Sequence, residues 1–246
     1  MNYEEQCDEL DREVDRFANA LAHADFAAPV PSCPEWSVRD LAEHLGTVHR
    51  WAQELVRLRA SERIQRIPTD LEAVDVEWLR SGGHSLAETL RSADPDEPMW
   101  AWGADQHVRF WARRQLHETL VHRIDLELAM GAASSVDATI ALDAVDEFLE
   151  NVKSDRDIAV RARSSRPEGE RLEIRATDAT RGWGVELSID GYEFINVPSE
   201  PDAVLIAEPT ELLAALLRRR PLERCDVVIE GDKSLVDHWL RETAFQ

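Results

Sequence analysis

Between Asp105 and Gly131 the chain reads DQHVRFWARRQLHETLVHRIDLELAMG, one long helical pattern with Glu118 and His122 four residues apart. Four residues is just over one helical turn, so both side chains leave the helix on the same side and can close on one ion. The same arc holds Trp111, Gln115, Asp125 and Ala129, which predicts a face turned into a core. A buried carboxylate or imidazole needs a partner or a metal. The helix therefore asks for a third polar group from elsewhere in the chain.

That group is His44. Ser37-Val38-Arg39-Asp40 has the pattern of a capping box, with Asp in place of the usual Glu, and opens a helix reaching about Ala60. On it His44 shares a face with Leu41, Val48, Trp51 and Leu55, so it too points inward. Antiparallel packing of the two helices brings it opposite Glu118 and His122. A His, Glu, His set leaves a fourth tetrahedral position for water or substrate, as in a catalytic zinc site. A buried histidine that only hydrogen-bonds fits the same pattern. His117-Glu118 with His122 is HExxxH, so the zincin reading fails on spacing.

Nearby residues have plainer readings. His49 lies about 140° around the helix from His44 and reads as a satisfied bundle or interface histidine. Cys33, beside Pro34, reads as a small packing residue or as a loop group within reach of the ion, and Trp36 as a staple for its loop or the wall of a pocket. Asp125 either orients His122 or forms an ion pair with Arg123 or another arginine.

The rest of the chain reads as helices followed by a mixed unit. Residues 3–24 form a first helix. Phe26–Trp36, with Pro29, Pro31 and Pro34, is a loop. Thr69-Asp70-Leu71-Glu72 caps a helix to about Leu79; Ser81-Gly82-Gly83 breaks it and Ser85–Arg91 resumes it. Val136–Val152 gives one more amphipathic helix. Short strands follow at Asp157–Ala162, Arg171–Ala176, Trp183–Ile189 and Tyr192–Val197. Asp190-Gly191 predicts a two-residue turn flanked by Ile189 and Tyr192. A strand at Ala203–Ile206, a helix at Thr210–Arg218, a strand at Asp226–Glu230 and a helix at Lys233–Thr243 close the chain. The fold class is α+β, with domains at 1–153 and 154–246.

Charge and cysteine usage narrow the functions. A formal net charge of -21 over 246 residues excludes a phosphate-backbone binder and disfavours anionic membrane surfaces. No apolar run reaches the ~18 residues of a membrane span. Cys7, Cys33 and Cys225 are far apart and fit neither a disulfide framework nor a cysteine zinc site. The acidic, amphipathic N-terminus is unlike a signal peptide, so a soluble cytoplasmic protein is expected.

CPEWSVRDLAEHLGTVHRWA (33–52) and HETLVHRID (117–125) resemble the two signature segments of the mycothiol-dependent maleylpyruvate isomerase family, within the DinB-like metal-binding helical bundles. The tail is similar to that family's C-terminal domain. The resemblance implies a four-helix-type bundle followed by a smaller α/β sandwich-like domain. By position it puts the metal ligands on His44, Glu118 and His122, the trio chosen from helix faces. It also implies a functional arginine in LLAALLRRRPLERCDVVIEGD, for which Arg219 is the candidate, ahead of Arg220 and Arg218. The cofactors implied are a divalent metal, zinc by default, and mycothiol, the small thiol of actinobacteria. The activity implied is attack of a metal-held thiolate on a small electrophile, by cis–trans isomerisation of a maleylpyruvate-like acid or by S-transfer. A thiol-independent metal hydrolase or transferase, and a non-catalytic metal- or ligand-binding bundle, are the alternatives.

Overall fold

The computed structural model describes residues 1–65, 74–155, 157–158, 161, 169–177, 181–188 and 191–244. Contacts divide the chain into two units, Met1–Ser134 and Ser135–Gln246.

The first unit contains α1 (Tyr3–Leu21), a hairpin of β1 (Pro29–Val30) and β2 (Cys33–Ser37), α2 (Val38–Leu58), α3 (Val76–Arg91) and α4 (Val108–Ala129). Asn2 and Glu5 cap α1 reciprocally, and Ser37 and Asp40 do the same for α2, as its sequence predicts. Helices α1 and α2 each pack on both α3 and α4. Their apolar stripes, among them Phe17, Leu41, Leu45, Leu79 and Leu126, are fully enclosed. Each such leucine contributes about 1.5–3 kcal/mol by leaving water.

Three expectations are corrected here. The stretch 26–36 is not loop throughout: it carries the β1–β2 pairing, Pro29 against Ser37 and Val30 against Cys33. Gly82-Gly83 does not break α3. Both glycines are buried because neighbours approach too closely for a side chain. A Cβ on Gly82 would meet the Arg50 guanidinium at 2.2 Å, and one on Gly83 would meet Val14 at 2.5 Å. Third, α4 is enclosed on most sides, from Trp111 and Leu116 to Arg123 and Ile124, instead of presenting one inward arc. Gly131 follows it in the left-handed region at φ 69°, as a helix end favours. The expected cap at Thr69–Glu72 lies outside the described residues.

The second unit begins with α5 (Ala138–Ser154), which packs on α6 (Pro209–Leu216). By this contact α5 groups with the second unit. The strands are β3 (Arg171–Ala176), β4 (Gly182–Ser188), β5 (Gly191–Ile195), β6 (Ala203–Ala207) and β7 (Val227–Gly231). They form one five-stranded sheet in the order β5-β4-β3-β6-β7, in which β3 and β6 are parallel and every other pair is antiparallel. Helices α6 and α7 (Lys233–Glu242) both contact β6. The arrangement is a mixed sheet with helices, α+β as expected.

Two local readings change in this unit. Asp157, Ile158 and Arg161 are helical, not part of a strand. The β4–β5 pairing sets Ser188 against Gly191, one residue earlier than Ile189 and Tyr192 as flanks; Ile189 and Asp190 themselves lie outside the described residues. Among the described residues no helix is long and apolar enough to cross a membrane.

Candidate metal centre

Helices α2 and α4 carry the three sequence-predicted groups to one place. His44 Nε2 lies 3.2 Å from Glu118 Oε1, and His122 Nε2 lies 3.4 Å from the same oxygen. One ligand atom from each of the three falls within 4.8 Å of the others. Metal–ligand bonds of about 2.0–2.1 Å set tetrahedral ligand atoms about 3.3 Å apart. The two carboxylate–imidazole distances match that edge, and the nitrogen–oxygen donor set suits zinc, nickel or iron. The residues present fit a divalent ion.

Neighbouring groups orient each ligand. Asp125, fully buried, accepts from His122 Nδ1 at 3.0 Å. A carboxylate has no proton to give, so Nδ1 carries the hydrogen and Nε2 is the atom turned toward Glu118. Asp125 also accepts from Ser32 Oγ at 2.5 Å. Arg114 donates to Glu118 Oε2 at 2.8 Å, leaving Oε1 to the histidines. Trp36 sets its ring 4.8 Å from that of His44 and 6.2 Å from that of His122. Arg123 turns to Glu13 at 2.6 Å and to Glu127 at 2.7 Å.

The electrostatics follow from these contacts. Burial alone would raise the Glu118 carboxyl; hydrogen bonds from His122 and His44 and the Arg114 cation overcome it and hold Glu118 well below the usual range. Burial would likewise lower His122, yet its bonds to Asp125 and Glu118 raise it to about 9. These contacts favour a carboxylate at Glu118 and a protonated imidazole at His122, so a metal binding at His122 Nε2 would displace a proton.

The other candidates are placed as follows. His49 is fully buried with Nε2 2.9 Å from Thr119 Oγ1, whose own hydrogen goes to the Gln115 carbonyl at 2.7 Å. His49 must therefore be the donor, which leaves its buried Nδ1 as an acceptor with no partner among the described residues. It is half satisfied, not fully, and burial lowers its pKa to about 3. Cys33 packs beside the Phe17–Leu41 core and is outside the trio. Arg219 follows α6 in the second unit, with Nε donating to the Leu217 carbonyl at 2.9 Å; Arg220 pairs with Glu211 at 2.5 Å and Arg218 is exposed in the left-handed region at φ 54°. Sequence reasoning missed Ser32 and Arg114. Arg114 stands one turn before Glu118, the spacing of a helical ion pair, and was legible on that ground.

Comparison with known proteins gives consistent results. Residues 7–127 match the model of the mycothiol maleylpyruvate isomerase N-terminal domain, and residues 139–238 match that of the C-terminal domain of the same family. A crystal structure of the mycothiol-dependent maleylpyruvate isomerase aligns at 14% identity and TM-score 0.58, covering 94% of this chain and 95% of that one. A mutant of that isomerase aligns at 13% identity and TM-score 0.57, covering 92% and 93%. These likenesses show a shared fold. Curated proteins offer no sequence match.

Proposed function

Because the chain belongs to the mycothiol maleylpyruvate isomerase family, with both domains in order, we propose that it is a metal- and mycothiol-dependent enzyme acting on a small electrophile. The reaction is cis–trans isomerisation of a maleylpyruvate-like acid, or S-transfer. The observation that carries this reading is the convergence of His44, Glu118 and His122 from two helices with ligand atoms within 4.8 Å. These three would hold the ion, zinc by default for a task without redox change. A divalent ion bound there lowers the pKa of a coordinated thiol, so that thiolate is present at neutral pH.

The chain's own residues prepare that site. Asp125 fixes the His122 tautomer. Arg114 keeps Glu118 ionised and turned. Trp36 lays an apolar ring beside the imidazoles. In the second unit, the resemblance to the family makes Arg219 the candidate to bind a substrate carboxylate, through the paired hydrogen bonds a guanidinium is suited to. Cys7, Cys33 and Cys225 are not joined in disulfides, as a reducing cytoplasm would keep them.

The test is turnover of maleylpyruvate, and thiol consumption with other electrophiles, in zinc-loaded protein with and without mycothiol. Wild type is expected to turn over only with both metal and thiol, and His44→Ala to lose activity. Metal-dependent turnover without thiol would point to a hydrolase. A metal that raises the melting temperature with no turnover at all would point to a binding protein.

A further inference from the structure

We propose that Ser32 is a positioning residue for His122, acting through Asp125, and that the β1–β2 hairpin in this way holds both imidazoles of the trio from one short segment. The inference rests on the metal reading of that trio. Ser32 sits in the two-residue connection between β1 and β2. Its hydroxyl donates to Asp125 Oδ1 at 2.5 Å, while Oδ2 of the same fully buried carboxylate accepts from His122 Nδ1 at 3.0 Å. Both hydrogens point at the carboxylate: Ser32 donates to one oxygen of Asp125 and His122 donates to the other, so Asp125 is the shared acceptor that links them.

Four residues after Ser32, on the second strand, Trp36 meets His44 at 4.8 Å. Each imidazole therefore has a contact from the hairpin, one through a hydrogen-bond relay and one through a ring. Glu118 is oriented from its own helix by Arg114. The hairpin is well placed to hold a fixed geometry. Val30 is fully buried, β1 packs on both α2 and α4, and the chain on either side is tied by Val38 N to Ala28 O and Arg39 N to Phe26 O, both at 3.0 Å.

A short bond to an ionised acceptor is among the stronger hydrogen bonds, and losing it leaves the carboxylate freer to swing. An imidazole aimed by a mobile carboxylate binds metal less well; groups that orient a ligand typically account for about 10–100-fold in affinity. Ser32 is only half-buried, so replacing it leaves the core intact.

The experiment is a zinc competition titration against a chelating dye for wild type, Ser32→Ala, Ser32→Thr, Asp125→Asn and the Ser32→Ala/Asp125→Asn double variant. Ser32→Ala is expected to weaken zinc about 10–100-fold, Ser32→Thr to stay near wild type because it keeps the hydroxyl, and the double variant to be no worse than Asp125→Asn. Ser32→Gly serves as a second hydroxyl-free variant should the alanine not fold. Wild-type affinity in Ser32→Ala, even with a lowered melting temperature, overturns the proposal, as does an additive double variant. Failure of wild type to bind zinc at all would instead sink the metal reading beneath it.

Discussion

Trp111 and Glu118 stand two turns apart on α4, and the bundle treats them in opposite ways. Trp111 sits among aromatic rings with its polar atom satisfied. Its ring meets those of Trp51 at 5.3 Å, Trp100 at 5.9 Å and Phe110 at 5.3 Å in an aromatic cluster. Its indole N–H donates to the Trp100 carbonyl at 3.0 Å, and that of Trp51 to the Ile64 carbonyl at 2.9 Å. Around Glu118 the bundle gathers a carboxylate, three imidazoles and a guanidinium, and among the described residues the buried His49 Nδ1 and Gln115 Oε1 have no hydrogen-bond partner. A buried polar atom left unpaired costs about 1–3 kcal/mol. The first turn of the helix is built for stability, while its middle gives stability up, and places where a sequence violates packing rules are where function is expected.

The contrast can be broken first at the aromatic cluster. Trp111→Ala should lower unfolding free energy by about 3–5 kcal/mol in a denaturant titration, because a large cavity opens among the surrounding rings. Zinc affinity of the folded fraction should be unchanged. A large loss of affinity in this variant would mean the two regions are not separate.

The polar region should reveal itself by pH. His49 stays neutral in the folded protein down to about pH 3, while in the unfolded chain it takes a proton near 6.5. Between those values the unfolded state binds more protons. The contribution is fully present above pH 6.5 and is lost as pH falls toward 3, about 3 kcal/mol by pH 4. Metal-free His49→Gln should show a correspondingly shallower fall in denaturation measured from pH 6.5 to 4. An identical slope in the two proteins would remove His49 from the account.

The smallest effect belongs to the surface, which has neither property. His84 bridges Asp11 at 2.5 Å and Asp15 at 3.2 Å, tying α3 to α1, with Arg91 beside them. These groups are partly exposed, so His84→Ala should cost under about 1 kcal/mol, and less in high salt. A larger cost by thermal melts would mean that this cluster carries part of the bundle's stability.

How much of this was legible in the sequence depended on periodicity. His44, Glu118, His122 and Asp125 lie on long helices, where spacing alone gives the face. Even so, α4 proved enclosed on most sides, so the inward arc was right about these residues and wrong about the helix. Ser32 and Trp36 come from a proline-rich segment with no period, and the Ser32–Asp125 bond spans 93 residues; nothing local announces it. Gly82-Gly83 misled for a related reason. Glycine marks a break when read alone, but here it marks Arg50 and Val14 pressing on the helix, which only tertiary packing reveals. In the second unit, alternation located the sheet's strands, yet the parallel β3–β6 pairing that orders them is a non-local fact.

The central claim is that three side chains from two helices form one metal site. Its most direct test is a zinc titration of the wild type beside His44→Ala, Glu118→Ala and His122→Ala, with folding checked by circular dichroism. One ion per wild-type chain is expected and, in each folded variant, affinity at least about 100-fold weaker, or about 2.7 kcal/mol. A wild type that binds no divalent ion, or variants that bind it as well as wild type does, would contradict it.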